Sequence, residues 1–347
     1  MPRAPWKQSV PSSESRAVAN PRVSNILLRL ARHLFSSEAH QDRFISSLMN
    51  PVEKPTAVVW TETRPETSPF LPDPSVSWQP DYVDFVSIDQ RPGKHDVHSN
   101  GDIYCLDPSS VFASQVLTAV PKTHSIIDLC ASPGGKAVLA WRRLKPQHLL
   151  CNEVIAKRTG ALISNLKRCR IRPVQVCSLD SKVLADQVGA MADLVIVDTP
   201  CSGQSLIARG KKSPGCFHPA TINMNSNRQR RILSNAVKLV APGGYLAYMT
   251  CTYAIKENER NLDWLLKKNP QLQPVKVPLL TTWQSEYSDT ACYRLWPFDS
   301  VGAGAFAALL RSDVDEGAGT RWHWPRVVWD SENNERSFRR AGTRRQL

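Results

Sequence analysis

Apolar positions change period along the chain, and the change marks its organisation. Residues 1–20 carry Pro, Ser and charge without any apolar period, which predicts a disordered tail. From Ser24 onward Ile26, Leu27, Leu30 and Leu34, then Phe44, Ile45 and Leu48, recur at helical spacing and predict two short amphipathic helices. Pro51 and Pro55 close the pair, Thr56-Ala57-Val58-Val59-Trp60 reads as a strand, and the Pro-, Thr- and Ser-rich stretch 61–80 reads as a loop. Beyond residue 120, short apolar runs alternate with helical segments. Strands are predicted at 125–129, 148–151, 174–177, 192–197 and 245–250, the last launched by a Pro242-Gly243-Gly244 turn. Helices are predicted at 137–144, 155–168, 181–188, 229–240 and 256–268, followed by strands near Val275 and across 305–310. Alternation of this kind predicts the α/β class: a Rossmann-like, doubly wound, mostly parallel seven-stranded sheet covered on both faces, with a small α+β N-terminal appendage. The expected divisions are a tail at 1–20, the appendage at 21–120, the sheet domain at 121–312 and a basic, flexible tail at 313–347.

Charge changes this picture by suggesting a partner. A formal net charge of +13 favours a polyanion, because each neutralised phosphate releases condensed counterions. From Thr320 onward seven arginines face Asp330, Glu332 and Glu335 alone, and Arg321-Trp322-His323-Trp324 interleaves charge with rings suited to stacking on bases. The nine cysteines form no Cys-x-x-Cys pair, which argues against a zinc ribbon or an iron-sulfur cluster; no metal is expected, and they read as reduced thiols of an intracellular protein. No run approaches the roughly 20 apolar residues of a membrane span. The cytoplasm is the expected location; residues 1–20, with Glu14 as their single acid, leave organelle targeting open. A monomer is the default.

Two kinds of strand end carry candidate chemistry. Between the strand at 125–129 and its helix lies Cys130-Ala131-Ser132-Pro133-Gly134-Gly135-Lys136, whose glycines let a ligand approach backbone N–H groups at a helix N-terminus. Glu153, about 20 residues on at the next strand end, is placed to take ribose hydroxyls. The Gly-x-Gly-x-x-Gly spacing of a dinucleotide site and the Gly-x-x-x-x-Gly-Lys of a Walker loop are both missing. The surviving reading is a nucleoside cofactor without a pyrophosphate, of which S-adenosylmethionine is the common one. Asp180 and Asp198, ending the third and fourth strands, would then flank its adenine and its methionine amine; for Asp180 an N-cap role stands beside that reading. The other strand ends deliver sulfur. Cys201 follows Asp198-Thr199-Pro200, and Cys251 follows Tyr245-Leu246-Ala247-Tyr248-Met249-Thr250.

Taken together, Asp128-Leu129-Cys130-Ala131-Ser132-Pro133-Gly134-Gly135-Lys136, Asn152-Glu153, Asp198-Thr199-Pro200-Cys201-Ser202-Gly203, Thr250-Cys251 and Glu257-Asn258-Glu259 resemble the Sun/Fmu-type (Nol/Nop/Sun) family of RNA cytosine-5 methyltransferases in order and spacing. Asp107-Pro108-Ser109-Ser110, Arg294-Leu295-Trp296-Pro297 and Gly302-Ala303-Gly304-Ala305-Phe306 extend the likeness over roughly 24–311. The resemblance implies a methyltransferase sheet, an S-adenosylmethionine donor and a structured RNA acceptor. By motif position it implies donor binding by residues 130–136, Glu153, Asp180 and Asp198, and makes Cys251 the nucleophile.

Cytosine chemistry explains why two thiols are wanted. Carbon 5 is a poor nucleophile until a thiolate adds to carbon 6, so covalent catalysis divides one hard step into easier ones. A depressed thiol pKa needs positive surroundings, for which Lys136 is the motif residue best placed. Asp198 would stabilise the ring as it gains charge, and Cys201, on the neighbouring strand, would assist loss of the carbon 5 proton and release of Cys251. Cys130, Cys151, Cys169 and Cys177 read as core fillers, Glu257-Asn258-Glu259 as an acidic helix start, and His218 as a loop packing residue. Lys211, Lys212, Arg228, Arg230 and Arg231 are candidates for an RNA-facing rim. Ribosomal RNA is the favoured substrate, transfer RNA the next. A DNA cytosine-5 enzyme and a non-catalytic RNA-binding assembly factor are the competing readings; the first would put its nucleophile on the Pro-Cys motif, and the second would have no use for both thiols.

Overall fold

The computed structural model describes residues 23–299, 301–314 and 325–332; the 1–20 tail, Arg321-Trp322-His323-Trp324 and the arginines beyond 332 lie outside them. The predicted helix pair is present as α1 (Asn25–Leu34) and α2 (Glu38–Met49). Ser24 caps α1 by accepting the Leu27 N–H at 3.2 Å, and Leu27, Ala31 and Leu34 form its buried stripe. β1 (Thr56–Trp60) runs between β2 (Val83–Val86) and, after the single turn α3 (Asp96–Ser99), β3 (Ile103–Leu106), both antiparallel to it. α4 (Pro108–Ser114) starts on Asp107, whose Oδ1 accepts the Ser109 N–H at 2.8 Å. β1, β2 and α4 share a continuous apolar core with the main sheet, through Val59, Phe85, Phe112, Ile126 and Leu309.

The main sheet is built from β4 (Ser125–Asp128), β5 (His148–Asn152), β6 (Gln175–Cys177), β7 (Ala192–Asp198) and β8 (Val240–Thr250), all parallel, in the spatial order β8-β7-β4-β5-β6. Helices α5 (Gly135–Leu144), α6 (Ala156–Arg168), α7 (Ser181–Val188), α8 (Pro219–Val237) and α9 (Glu259–Lys268) alternate with these strands. The strands read as near-continuous Ile, Leu and Val because both faces are covered, as parallel sheets require. β4 starts the series at the centre, β5 and β6 add to one side and β7 and β8 to the other. The switch point between β4 and β7 is where such sheets open a crevice at the strands' carboxyl ends.

Several expectations change in detail. The sheet has nine strands among the described residues rather than seven: β9 (Leu272–Pro274), β10 (Tyr293–Leu295), β11 (Ala305–Ser312) and β12 (Trp329–Asp330) flank the parallel five, and all pair antiparallel. Pro242-Gly243-Gly244 is an irregularity inside β8, not a turn before it, because Ala192 pairs with Val240 and Leu194 with Tyr245. α8 begins at Pro219 with His218 as its cap, accepting the Ala220 N–H at 3.1 Å; its polar first half hides the helical period. Residues 325–332, assigned by composition to a flexible tail, return to the sheet edge. Ser331 donates its N–H to Val174 at 3.0 Å and β12 pairs with β6. No helix among the described residues is long and apolar enough to cross a membrane.

Candidate active site

The crevice forms where the theory of open sheets puts it. A cavity of about 370 Å³ opens at the carboxyl ends of β4 to β8, lined among others by Cys130, Ser132, Glu153, Asp180, Asp198, Cys201 and Cys251. The turn after β4 supplies one wall. Gly134, at φ +118°, is the N-cap of α5, a conformation that a side chain would strain, and a Cβ there would already touch Leu162. Cys130 and Ser132 face the cavity, whereas Ala131, Pro133, Gly134 and Gly135 shape the turn without lining it. Glu153 is buried, its Oε1 accepting the Ile155 N–H at 2.9 Å and its Oε2 lying 3.1 Å from Arg158. Val154 and Ile155, exposed although apolar, give the cavity a hydrophobic side. Asp180 does cap α7, accepting the Lys182 N–H at 2.9 Å, and it also lines the cavity, so its two readings are compatible. Beside the cavity lies Asp128, wholly buried, with no side-chain partner and at most a weak contact from the Cys130 N–H. Burial first and the Asp198 charge second push its pKa up to about 7, against the opposing Lys136 ammonium.

The residues assigned to chemistry lie together. Sγ of Cys201 and Sγ of Cys251 are 3.2 Å apart, both free thiols and both partly exposed. Lys136 Nζ lies 2.9 Å from Asp198 Oδ2. Burial alone would lower the Lys136 pKa, but the charge and hydrogen bond of Asp198, with smaller help from Cys251 and Asp128, raise it, and the ammonium is held. The two thiols are pushed apart. A hydrogen bond from Cys201 stabilises the Cys251 thiolate against the cost of burial, Ser205 and the Lys136 charge add to this, and the Cys251 pKa falls. Giving that same hydrogen bond, together with burial, raises the Cys201 pKa well above its ordinary value. Of the two sulfurs, Cys251 is thereby the more readily ionised.

A second, smaller cavity of about 160 Å³ meets Cys251 from the other side, lined by Asp107, Ser109, Lys136, Asp198, Ser205 and Arg209 among others. The two cavities share Asp198, Leu206 and Cys251. Sequence reasoning missed Asp107, Ser205 and Arg209. Asp107 is legible only as part of the Asp-Pro-Ser-Ser motif, and no local pattern singles out Ser205 or Arg209. Of the basic rim candidates, Arg228 and Arg231 line the larger cavity, whereas Arg230 packs its guanidinium over Trp264 at 5.1 Å and bonds Asn261. Cys151, Cys169 and Cys177 are buried in the core, but Cys130 is a wall residue.

The sequence profile of the family described as 16S rRNA methyltransferase RsmB/F matches residues 114–311. Ribosomal RNA small subunit methyltransferase F of Cronobacter sakazakii is 29% identical over 201 residues, 56% of this chain and 42% of that protein. The tRNA (cytosine(49)-C(5))-methyltransferase of Pyrococcus abyssi is 30% identical over 235 residues, 65% of this chain and 75% of that protein. The chain thus spans less than half the length of the rRNA methyltransferase F relatives that it matches. Among solved structures, NSun6 from Pyrococcus horikoshii with SFG superposes with a TM-score of 0.65 over 84% of this chain and 99% of that one at 18% identity. A methyltransferase homolog protein from the same organism gives 0.65 over 84% and 100% at 20% identity. At such identities the likeness is one of fold.

Proposed function

This chain belongs to the RsmB/F family of RNA methyltransferases, and on that premise we propose that it methylates carbon 5 of a cytosine in structured RNA, with S-adenosylmethionine as donor, Cys251 as nucleophile and Cys201 assisting release. The observation that carries the reading is the pair of sulfurs 3.2 Å apart, that of Cys251 with a lowered pKa, beside the Lys136–Asp198 ion pair.

The larger cavity fits the donor. Glu153 offers a carboxylate to ribose hydroxyls, and Val154 and Ile155 an apolar side to a purine. Bound there, S-adenosylmethionine supplies an electrophilic methyl group on its sulfonium. In the smaller cavity Cys251 adds its thiolate to carbon 6 of the cytosine, and the electron pair displaced from the 5,6 double bond makes carbon 5 nucleophilic. Lys136 and Asp198 face the ring's polar edge, where charge accumulates, from fixed positions that need no reorganisation. Once carbon 5 carries the methyl group its proton must go. With Cys251 bonded to carbon 6, Cys201 gives its own proton to solvent and as thiolate takes the carbon 5 proton. The electron pair of that C–H bond restores the 5,6 double bond, and the bond to carbon 6 breaks with Cys251 departing as thiolate.

Residues 121–312 constitute the donor-binding domain in this reading, and the appendage of 21–120 takes part in holding RNA. Ribosomal RNA is the proposed substrate class. Transfer RNA is the second reading, favoured by the Pyrococcus abyssi relative, of which this chain covers three quarters. Incubation with radiolabelled S-adenosylmethionine and unmodified rRNA or tRNA transcripts, followed by nucleoside analysis, tests the proposal. Label in 5-methylcytosine of one transcript is the expected outcome; label in another nucleoside, or in DNA only, overturns it.

A further inference from the structure

The consecutive residues Glu257 and Asn258 brace the two cysteine segments, Asn258 the Cys251 segment and Glu257 chiefly the Cys201 segment, with one longer contact from the Thr252 hydroxyl to Glu257 Oε1 at 3.4 Å. Glu257 is wholly buried and lines neither cavity. Its Oε2 accepts the Ser202 N–H at 2.9 Å and Gln229 Nε2 at 2.9 Å, and the same Gln229 nitrogen donates to the Pro200 carbonyl at 3.1 Å. Pro200 and Ser202 are the two neighbours of Cys201. Asn258, also wholly buried, accepts the Thr250 hydroxyl on Oδ1 at 2.6 Å and donates from Nδ2 to the Thr252 carbonyl at 2.9 Å. Thr250 and Thr252 are the two neighbours of Cys251. The segments are then tied to each other: the Ser202 and Thr252 hydroxyls bond at 2.7 Å, and the Ser205 N–H donates to the Cys251 carbonyl at 3.2 Å.

A helix start does not account for this arrangement. Asn258 holds the N-cap position of α9 at φ −108° and ψ −100°, but its side chain makes no cap hydrogen bond. An Asn there ordinarily spends its side-chain oxygen on the helix's free N–H groups. Here it serves the Cys251 segment, and a broken local rule of this kind is a mark of function. Helix α9 takes its acidic first residue from Glu259, which Arg294 pairs at 2.5 Å. Burying a carboxylate where apolar packing would stabilise as well or better gains position rather than stability.

We propose that Glu257 and Asn258 are positioning residues for the two-sulfur reaction, Asn258 fixing Cys251 for attack and Glu257 fixing Cys201 for release. This rests on the cysteine roles proposed above. A misplacement of about 1 Å costs roughly a hundredfold in rate when reacting groups must be aligned, so small shifts of either segment are visible in kinetics.

Single-turnover reactions with S-adenosylmethionine and the rRNA or tRNA transcript that the wild-type protein labels, resolved on denaturing gels, separate the two steps. Glu257→Ala is expected to accumulate covalent protein–RNA adduct, with release slowed about tenfold or more and formation within about twofold of wild type. Asn258→Ala is expected to slow adduct formation by about tenfold or more, also in a Cys201→Ala background where release is blocked. Glu257→Gln, which keeps an acceptor for the Ser202 N–H, should restore most of the release rate. If Glu257→Ala is insoluble, Thr252→Val removes at nearly constant shape the hydroxyl that bonds both Ser202 and Glu257, and should also accumulate adduct. Equal slowing of both steps by both variants, or no adduct from Glu257→Ala and Thr252→Val where Cys201→Ala gives one, overturns the inference. Failure of Cys201→Ala itself to trap adduct instead sinks the roles given to the cysteines, and the positioning roles with them.

Discussion

Cys201 and Cys251 are separated by 50 residues in sequence and by 3.2 Å between their sulfurs. Their strands are parallel neighbours, with Asp198 paired to Met249, so each chain leaves the sheet at the same level and turns its cysteine into the same crevice. At this distance the Cys201 thiol gives a hydrogen bond to the Cys251 sulfur and favours loss of the proton there, with Ser205 and the Lys136 charge as smaller contributions.

Replacing the two cysteines should give opposite phenotypes. Cys251→Ala is expected to reduce methylation by on the order of 10⁴-fold or more, as removal of a nucleophile does in other covalent enzymes. Cys201→Ala is expected to leave an RNA-linked species that survives a denaturing gel. Full activity in Cys251→Ala, with lost activity and no adduct in Cys201→Ala, would reverse the assignment.

Lys136→Gln should move the acidic limb of the kcat/KM profile to higher pH. The reacting form of Cys251 is the thiolate, so activity is lost as pH falls through its pKa; removing the nearby ammonium raises that pKa. Ser205→Ala, which removes a hydrogen bond to the same sulfur, should shift the limb in the same direction. A limb that stays in place in both variants would show that these groups do not set the nucleophile's charge.

Glu153→Ala should weaken S-adenosylmethionine binding by roughly ten- to a hundredfold, the cost of losing hydrogen bonds to a charged acceptor, without a matching loss of RNA affinity. Isothermal titration with the donor alone reads this directly. Unchanged donor affinity would remove Glu153 from the site.

Arg294 and Glu259 form a buried ion pair, 4% and 0% exposed at their side chains, and Arg294 also donates to the Tyr253 carbonyl at 3.0 Å. Arg294→Met leaves a carboxylate buried without its partner and should destabilise the fold by about 3–5 kcal/mol. A lower denaturant midpoint at constant slope is the expected reading.

Asp128 should make stability fall as pH rises in the donor-free protein. Its folded pKa, about 7, lies above the ordinary carboxyl value of 3.8. The penalty is therefore absent below about pH 4, grows between the two values and levels off above about 7, reaching at most about 4 kcal/mol. Asp128→Asn should flatten the profile, stabilising at pH 8 and leaving pH 4 nearly unchanged. Parallel profiles for the two proteins would place the titration elsewhere.

The sequence alone determined the parallel strands, the helices between them and the strand-end positions of Cys130, Glu153, Asp180, Asp198, Cys201 and Cys251. A fully covered parallel strand must be apolar along its length, and the polar residue at its end is where covering stops, so the pattern is written locally. The antiparallel edges were less legible: β10 and β12 are three and two residues long, and short pairings take their identity from the neighbour they meet. Only the tertiary structure decided what depends on two distant segments at once. The 3.2 Å between the sulfurs, the opposite shifts of their pKa values and the placing of Glu257 against Ser202 all arise from the register of β7 on β8. Sequence near Glu257 favoured a helix start because an acid before a helical run has that local meaning; its carboxylate is instead claimed by a loop 55 residues away, through contacts that local pattern does not encode.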